Sequence, residues 1–241
     1  MIMPFPSLYK TLMTLTTSLL LIIVVFSGWF CLRACRLANR TPWGNWFLNY
    51  LDGLNRLFCR YYHRLDAPLL AIPPQGAVLI VANHVSGLDP LLLYAITNRP
   101  LRFLIDAHQY HRFGLTWLFR LIGGIPVDYT GRPEKALKAA LQALEAGEAV
   151  AIFPQGGFVL PSQFPSKLKR GVFWLAQHTQ TPTPIYPVYI KGVRGMGYAV
   201  RGVFIRSRVQ LSAYPPLYCA QEEEIANCAA TVQALIEGRT T

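Results

Sequence analysis

The chain has 241 residues, 52 % hydrophobic and 15 % charged, against a charged share of about 25 % in ordinary soluble domains. That length makes one domain plus a short accessory region, and the composition excludes a surface bathed entirely in water. A formal net charge of +11, from 23 basic and 12 acidic residues, suits either of two polyanions, nucleic acid or an anionic membrane.

The first segment decides between them. Residues 12–30 carry no charge, and Leu, Ile, Val and Phe run without interruption over residues 19–26. Nineteen residues at about 1.5 Å each span about 29 Å, close to the hydrocarbon thickness of a bilayer. The stretch predicts a membrane helix; a cleaved signal peptide is the alternative, but the run is long for one and no small-x-small site follows Phe26. Arg33, Arg36 and Arg40 follow it and only Lys10 precedes it, so the positive-inside bias places the carboxyl side in the cytoplasm. No basic-aromatic platform of the kind that binds nucleic acid is present.

Residues 44–64 place Phe47, Leu51, Leu54, Phe58 and Tyr61 at three- and four-residue steps, with Arg56, Arg60 and Arg64 elsewhere. This predicts an amphipathic helix whose basic side meets anionic headgroups, or one that covers the domain core. The organisation expected is an anchor with its basic flank over 1–40, an interfacial helix over 41–66 and a catalytic domain over 67–241. The five cysteines have no metal-ligand spacing, and no structural disulfide is expected on the cytoplasmic side.

From residue 77 onward strands alternate with helices. Apolar runs predict strands at 77–82, 101–105, 125–129, 149–153 and 184–190, with an alternating strand at 203–211. Helices are predicted from 91, at 117–122, at 133–146, where Pro133 opens and Gly147 closes the helix, at 168–178 and at 222–236. The fold class is α/β, a mostly parallel sheet flanked by helices, with functional loops beyond the strands' carboxyl ends.

One such end carries Asn83-His84-Val85-Ser86-Gly87-Leu88-Asp89-Pro90. A strand stops, a turn follows, and Asp89 stands where its carboxylate can hold one imidazole nitrogen and leave the other to take a proton. Asp89-Pro90 is equally an ordinary helix start, with Ser86 and Asp89 as a cap. No Ser, Cys or Thr stands in a nucleophile elbow, so His84 would activate a hydroxyl of the substrate.

The Asn83–Asp89 stretch resembles the His-x4-Asp block of the membrane glycerolipid acyltransferases, the group that includes 1-acylglycerol-3-phosphate acyltransferase. Gly123-Gly124-Ile125-Pro126-Val127-Asp128 resembles that family's second block, and Ile152-Phe153-Pro154-Gln155-Gly156-Gly157 its third, usually Phe-Pro-Glu-Gly-Thr. Lys169-Arg170-Gly171 and Ile185-Tyr186-Pro187-Val188 resemble the approach to the fourth block and the block itself. The resemblance implies acyl transfer from acyl-CoA or acyl carrier protein to a lysophosphatidate-like lysolipid at an anionic membrane surface, in phospholipid synthesis, with no metal or bound cofactor. His84 and Asp89 would be the catalytic pair. Asn83, Ser86, Arg132, Gln155, Gly156, Gly157, Lys167, Lys169 and Arg170 would bind substrate, with amides around Gly156 and Gly157 facing the oxyanion.

The chain departs from the pattern at Gln155 for Glu, Gly157 for Thr or Ser, Tyr129 and Phe158 for Arg, and Asp106 for Lys. Three of these changes remove positive charge from the acceptor's side. They keep open acylation of a lipid or glycolipid alcohol without a phosphomonoester, and a non-catalytic lipid-binding protein.

Overall fold

The computed structural model describes residues 5–129, 131, 133–219 and 225–239; Arg132 and residues 222–224 of the expected last helix lie outside these. Helix α1, Phe5–Ala38, is 34 residues long. Its Tyr9–Ala38 stretch, 30 residues with an 18-residue window of mean hydropathy 2.2 that the rest of the chain leaves unburied, is long and apolar enough to cross a membrane. Thr14, Thr16 and Thr17 each bond a carbonyl three or four residues back, at 2.8 to 3.0 Å. No hydroxyl of the three is therefore left bare on the apolar surface.

Helix α2, Trp46–Leu57, starts at the Asn45 cap and runs into a wider turn, Phe58–Tyr62. It crosses the end of α1 so closely that a Cβ on Gly53 would sit 1.8 Å from the Cys35 carbonyl oxygen. Its polarity inverts one expectation. Leu48, Asp52, Gly53 and Arg56 face inward, while Trp46, Leu54 and Tyr61 are exposed. Arg56 is 8 % exposed; it pairs with Asp52 at 2.7 Å and donates to Ala95 O at 2.8 Å, Thr41 Oγ1 at 3.0 Å and Thr97 O. It is thus not available to headgroups, because pairing and carbonyls satisfy a guanidinium inside the domain.

The sheet contains β1 (Val78–Ala82), β2 (Leu101–Asp106), β3 (Ile125–Val127), β4 (Ala149–Ile152), β5 (Ile185–Lys191) and β6 (Gln210–Ala213), in the order β3-β2-β4-β1-β5-β6. All neighbours are parallel except β5 and β6. β1 is central and buried throughout. Val78, Ile80 and Ala82 pack toward α3 (Asp89–Ile96), which the short helices α4 (Ala107–Tyr110) and α5 (Thr116–Leu121) follow in the chain, whereas Leu79 and Val81 pack toward α6 (Pro133–Glu145), α7 (Gly171–His178) and α9 (Ile225–Ile236). Burial on both faces is why the strand reads as an unbroken apolar run.

Two expectations are corrected. The alternating run at 203–211 is not one strand: Arg201–Phe204 is a helical turn, α8, and only Gln210–Ala213 pairs with β5. Gly202 lies against Ser86, where a Cβ would come within 2.8 Å of its side chain, so tertiary packing overrides the alternation. Cys219 and Cys228 are joined by a disulfide, Cα to Cα 6.0 Å. The burial of Cys219 and the packing of Cys228 in one apolar cluster bring them together.

Candidate active site

β1 and β4 are neighbours in register, Val81 beside Ile152, so the turns that follow them lie side by side at the carboxyl edge of the sheet. Asn83 continues β1 by exchanging both bonds of a strand pair through its side chain: Nδ2 donates to Ile190 O at 2.9 Å and Oδ1 accepts from Ile190 N at 2.7 Å. The next residue is His84. Its Nδ1 lies 2.8 Å from Asp89 Oδ2, and that oxygen also accepts from the main-chain N–H groups of Val85 at 2.6 Å and Ser86 at 2.8 Å. Ser86 Oγ donates to the other oxygen at 3.2 Å and accepts from Leu88 N at 3.1 Å. Both readings of Asp89 therefore hold at once, since it opens α3 and its carboxylate, 0 % exposed, also binds the histidine.

An oxygen that accepts from two main-chain N–H groups faces the ring as an acceptor, which requires the hydrogen of His84 on Nδ1. Nε2 is then the bare acceptor, and it makes no hydrogen bond among the described residues. The ring stacks on Phe153, centroids 4.1 Å apart and 11° from parallel, with Phe158 at 4.5 Å on the same ring. Its side chain is 18 % exposed, so the edge carrying Nε2 is reachable while the faces are dry.

A second layer fixes the turn itself. His84 N donates to Gln155 Oε1 at 2.7 Å, and Val159 N donates to His84 O at 2.8 Å. From the other side Gly197 N donates to Val85 O at 2.8 Å and Gly87 N to Tyr198 O at 3.3 Å. A Cβ on Gly87 would stand 1.8 Å from Ala199 O. The 195–204 segment, of which only residues 203 and 204 were expected in a strand and the rest had no assignment, is the cover of the histidine turn; its glycines, Gly195 and Gly197 at φ +70° and +80°, were the signal.

The turn after β4 is more open. Gly156, at φ +73°, has its N–H taken by Phe153 O at 3.2 Å, so it offers no amide to a substrate. Gly157 is exposed, and its N–H makes no bond among the described residues. Lys169 crosses Gly156, where a Cβ would meet its Cε at 2.3 Å, and its Nζ stands 4.7 Å from the centre of the Tyr129 ring. Burial, with Asp106 adding, pushes the Tyr129 phenol above its ordinary range. Lys167 and Arg170 turn elsewhere, into a cavity of about 1090 Å³ between α7 and α9 that is also lined by Phe173, Trp174 and Arg239. The structure thus brings Lys169, Gly156 and Tyr129 together and separates Lys167 and Arg170 from them.

A recess of about 760 Å³ at the carboxyl end of β2 is lined by His108, His111, Arg112 and Asp128. Sequence reasoning passed over these two histidines and the arginine, although their crowding just after a strand end was the available signal.

Residues 69–191, just over half of the chain, match the Acyltransferase family model. The chain belongs to the acyltransferase family. Among the family's curated members, a probable 1-acyl-sn-glycerol-3-phosphate acyltransferase of Mycoplasma pneumoniae is 32 % identical over 132 residues, 51 % of this chain and 47 % of that protein. One of the same description from Mycoplasma genitalium is 32 % identical over 134 residues, 52 % and 47 % of the two chains. The chain spans about half the length of these relatives. The crystal structure of the 1-acyl-sn-glycerophosphate (LPA) acyltransferase PlsC from Thermotoga maritima superposes with a TM-score of 0.63 at 22 % identity, covering 97 % of this chain and 95 % of that one. The acyltransferase fold is therefore shared along nearly the whole chain, α1 included.

Proposed function

We propose that the protein is an O-acyltransferase that moves a fatty acyl group from acyl-CoA or acyl carrier protein to a lysophosphatidate-like glycerolipid. The observation that carries this reading is the bare Nε2 of a histidine whose other nitrogen is held by a buried carboxylate, in a chain of the acyltransferase family. Nε2 takes the proton of the acceptor hydroxyl as that oxygen attacks the thioester carbonyl. The tetrahedral oxyanion is met by the free amide of Gly157, not of Gly156. Collapse breaks the carbon–sulfur bond, and the imidazolium returns its proton to the leaving thiolate. Asp89 stabilises the imidazolium between the two transfers.

In this reading Asn83 and Ser86 act by building the turn, because their side-chain bonds are already used within the chain. Lys169 meets the acceptor phosphate, and Arg132 is the further cation expected beside it. The catalytic domain, 67–241, faces the cytoplasm, which the arginines after the apolar stretch support. Residues 1–40 are the membrane anchor with its basic flank, and 41–66 lie at the membrane surface with Trp46, Leu54 and Tyr61 outward.

Tyr129, Phe158 and Asp106 favour a second acceptor, a lipid or glycolipid alcohol without a phosphomonoester. The test incubates detergent-solubilised protein with a labelled acyl donor, lysophosphatidate and a matched neutral alcohol. Lysophosphatidate is expected to give the higher kcat/KM. A tenfold preference for the neutral alcohol would end that assignment, and no labelled product from any acceptor would end the enzymatic reading.

A further inference from the structure

A chain of buried polar groups joins the histidine turn to the far end of the polypeptide. His84 N–H donates to Gln155 Oε1 at 2.7 Å, and Gln155 Nε2 donates to Ser166 Oγ at 2.8 Å. Ser166 in turn donates its hydroxyl and its main-chain N–H to Glu237 Oε1, at 2.8 and 2.7 Å. Gln155, Ser166 and Glu237 are only 9, 8 and 4 % exposed. Arg239 holds the outer carboxylate oxygen at 2.8 Å, and Gln233 Nε2 donates to Ser166 O at 2.5 Å.

Every hydrogen in this chain has one possible place. A main-chain N–H can only donate, so the amide of Gln155 must present its oxygen to His84 and its NH₂ to Ser166. A hydroxyl that accepts from that NH₂ spends its single proton on Glu237. The network therefore has room for one carboxylate, and it stands at position 237.

We infer that Glu237 is a positioning residue for His84, acting through Ser166 and Gln155, and that it is the reason position 155 holds an amide in this chain. The main-chain N–H of His84 helps to anchor the catalytic ring, together with the Val159 bond to His84 O, the Phe153 stack and the Asp89 bond on Nδ1. A carboxylate at 155 would still accept from His84 but would turn a second anion toward the one proton of Ser166, with Glu237 behind it. In a buried site such repulsion shifts groups or protonates one of them.

The inference rests on the acyl-transfer reading, and the experiment keeps the two apart. Full-length wild type, Glu237→Gln, Gln155→Glu and the double exchange are purified in detergent, and each is measured for kcat, KM and thermal unfolding. A displaced histidine lowers kcat steeply, by up to about 10²-fold for an ångström. Glu237→Gln is expected to lose about tenfold and Gln155→Glu about a hundredfold in kcat, with KM changed less than about twofold. The loss in Gln155→Glu should shrink as the pH is lowered and one carboxylate takes a proton. The double exchange leaves one carboxylate, at 155, to take the Ser166 hydroxyl proton, while the amide oxygen at 237 keeps the Ser166 N–H; it is expected to be at least about tenfold better than the product of the single variants, a non-additivity that unconnected sites do not show.

Single variants that melt lower but keep wild-type kcat would reduce Glu237 to a structural role. A double exchange as poor as the product of the single variants would overturn the network. A wild type that transfers no acyl group would instead overturn the proposed function, because the melting temperatures of the four proteins report the coupling without turnover.

Discussion

The turns after β1 and β4 leave adjacent strands at the same edge of the sheet, yet they are built in opposite ways. The first is closed: its carboxylate is wholly buried and accepts from four donors on three successive residues, His84, Val85 and Ser86, and the 195–204 segment covers it. The second is open, with Gly157 exposed and a lysine draped over Gly156. A group that must hold a proton in one place needs the first kind of construction. A surface that must admit a lipid headgroup needs the second. Four of the five residues at which the chain departs from its family's pattern, Tyr129, Gln155, Gly157 and Phe158, are on or beside the open turn; the fifth, Asp106, ends β2.

Breaking the closed turn should have the largest effect. His84→Ala removes the base and is expected to lower kcat about 10²- to 10⁴-fold, the usual worth of a positioned general base. Asp89→Asn keeps an oxygen toward Nδ1, because the Val85 and Ser86 N–H groups need the same acceptor, but removes the charge that stabilises the imidazolium, and should cost about 10- to 10²-fold. Turnover in labelled acyl donor is the measurement, with unfolding curves to show that the chain remains folded. Wild-type kcat in both variants would leave Asp89 as a helix start and nothing more.

Altering the open turn should move KM instead. Charged hydrogen bonds contribute about 1.5–3 kcal/mol, so Lys169→Ala is expected to raise the KM for lysophosphatidate about tenfold, with little change for a neutral lipid alcohol of the same acyl length. Lys167→Ala and Arg170→Ala should change it less than about threefold, because both side chains point into the α7–α9 cavity. Equal effects from all three lysine and arginine variants would mean that the substrate meets them as one cluster, and would erase the separation the structure draws.

The closed turn was legible in the sequence because it is local. Asp89 follows His84 by five residues, and the strand before and helix after leave the side chains no other way to converge. The sheet was legible for the same reason that β1 is an unbroken apolar run: burial on both faces. What could not be read depends on partners far along the chain. Arg56 looks solvent-facing until Asp52, Thr41 and two carbonyls around the end of α3 are folded onto it. Lys167, Lys169 and Arg170 are consecutive charges in the sequence, but the start of α7 points them to two different places. Glu237 lies 71 residues from Ser166, a spacing that no pattern in either stretch announces.

The smallest expected effect concerns the cover of the closed turn. His63 is fully buried, its Nε2 lies 3.0 Å from Val203 O, and Nδ1 has no partner among the described residues; Phe58 and Tyr62 stand edge-on to the ring at 4.8 and 4.9 Å. Burial pushes its pKa below the ordinary imidazole range, against the smaller opposing effect of the carbonyl. The unfolded chain therefore takes up a proton at a pH where the folded chain still refuses one. Stability from this site is complete above the unfolded value of about 6.5 and is lost as the pH falls below it toward the lower folded value. His63→Gln keeps a donor for Val203 O and cannot titrate in this range. Between about pH 8 and pH 5 the melting temperature of the detergent-solubilised wild type should fall more than that of His63→Gln, with the curves parting below about pH 6.5. Parallel curves would show that protonation of His63 does not loosen the segment over the histidine turn, and would make the closure of that turn independent of pH.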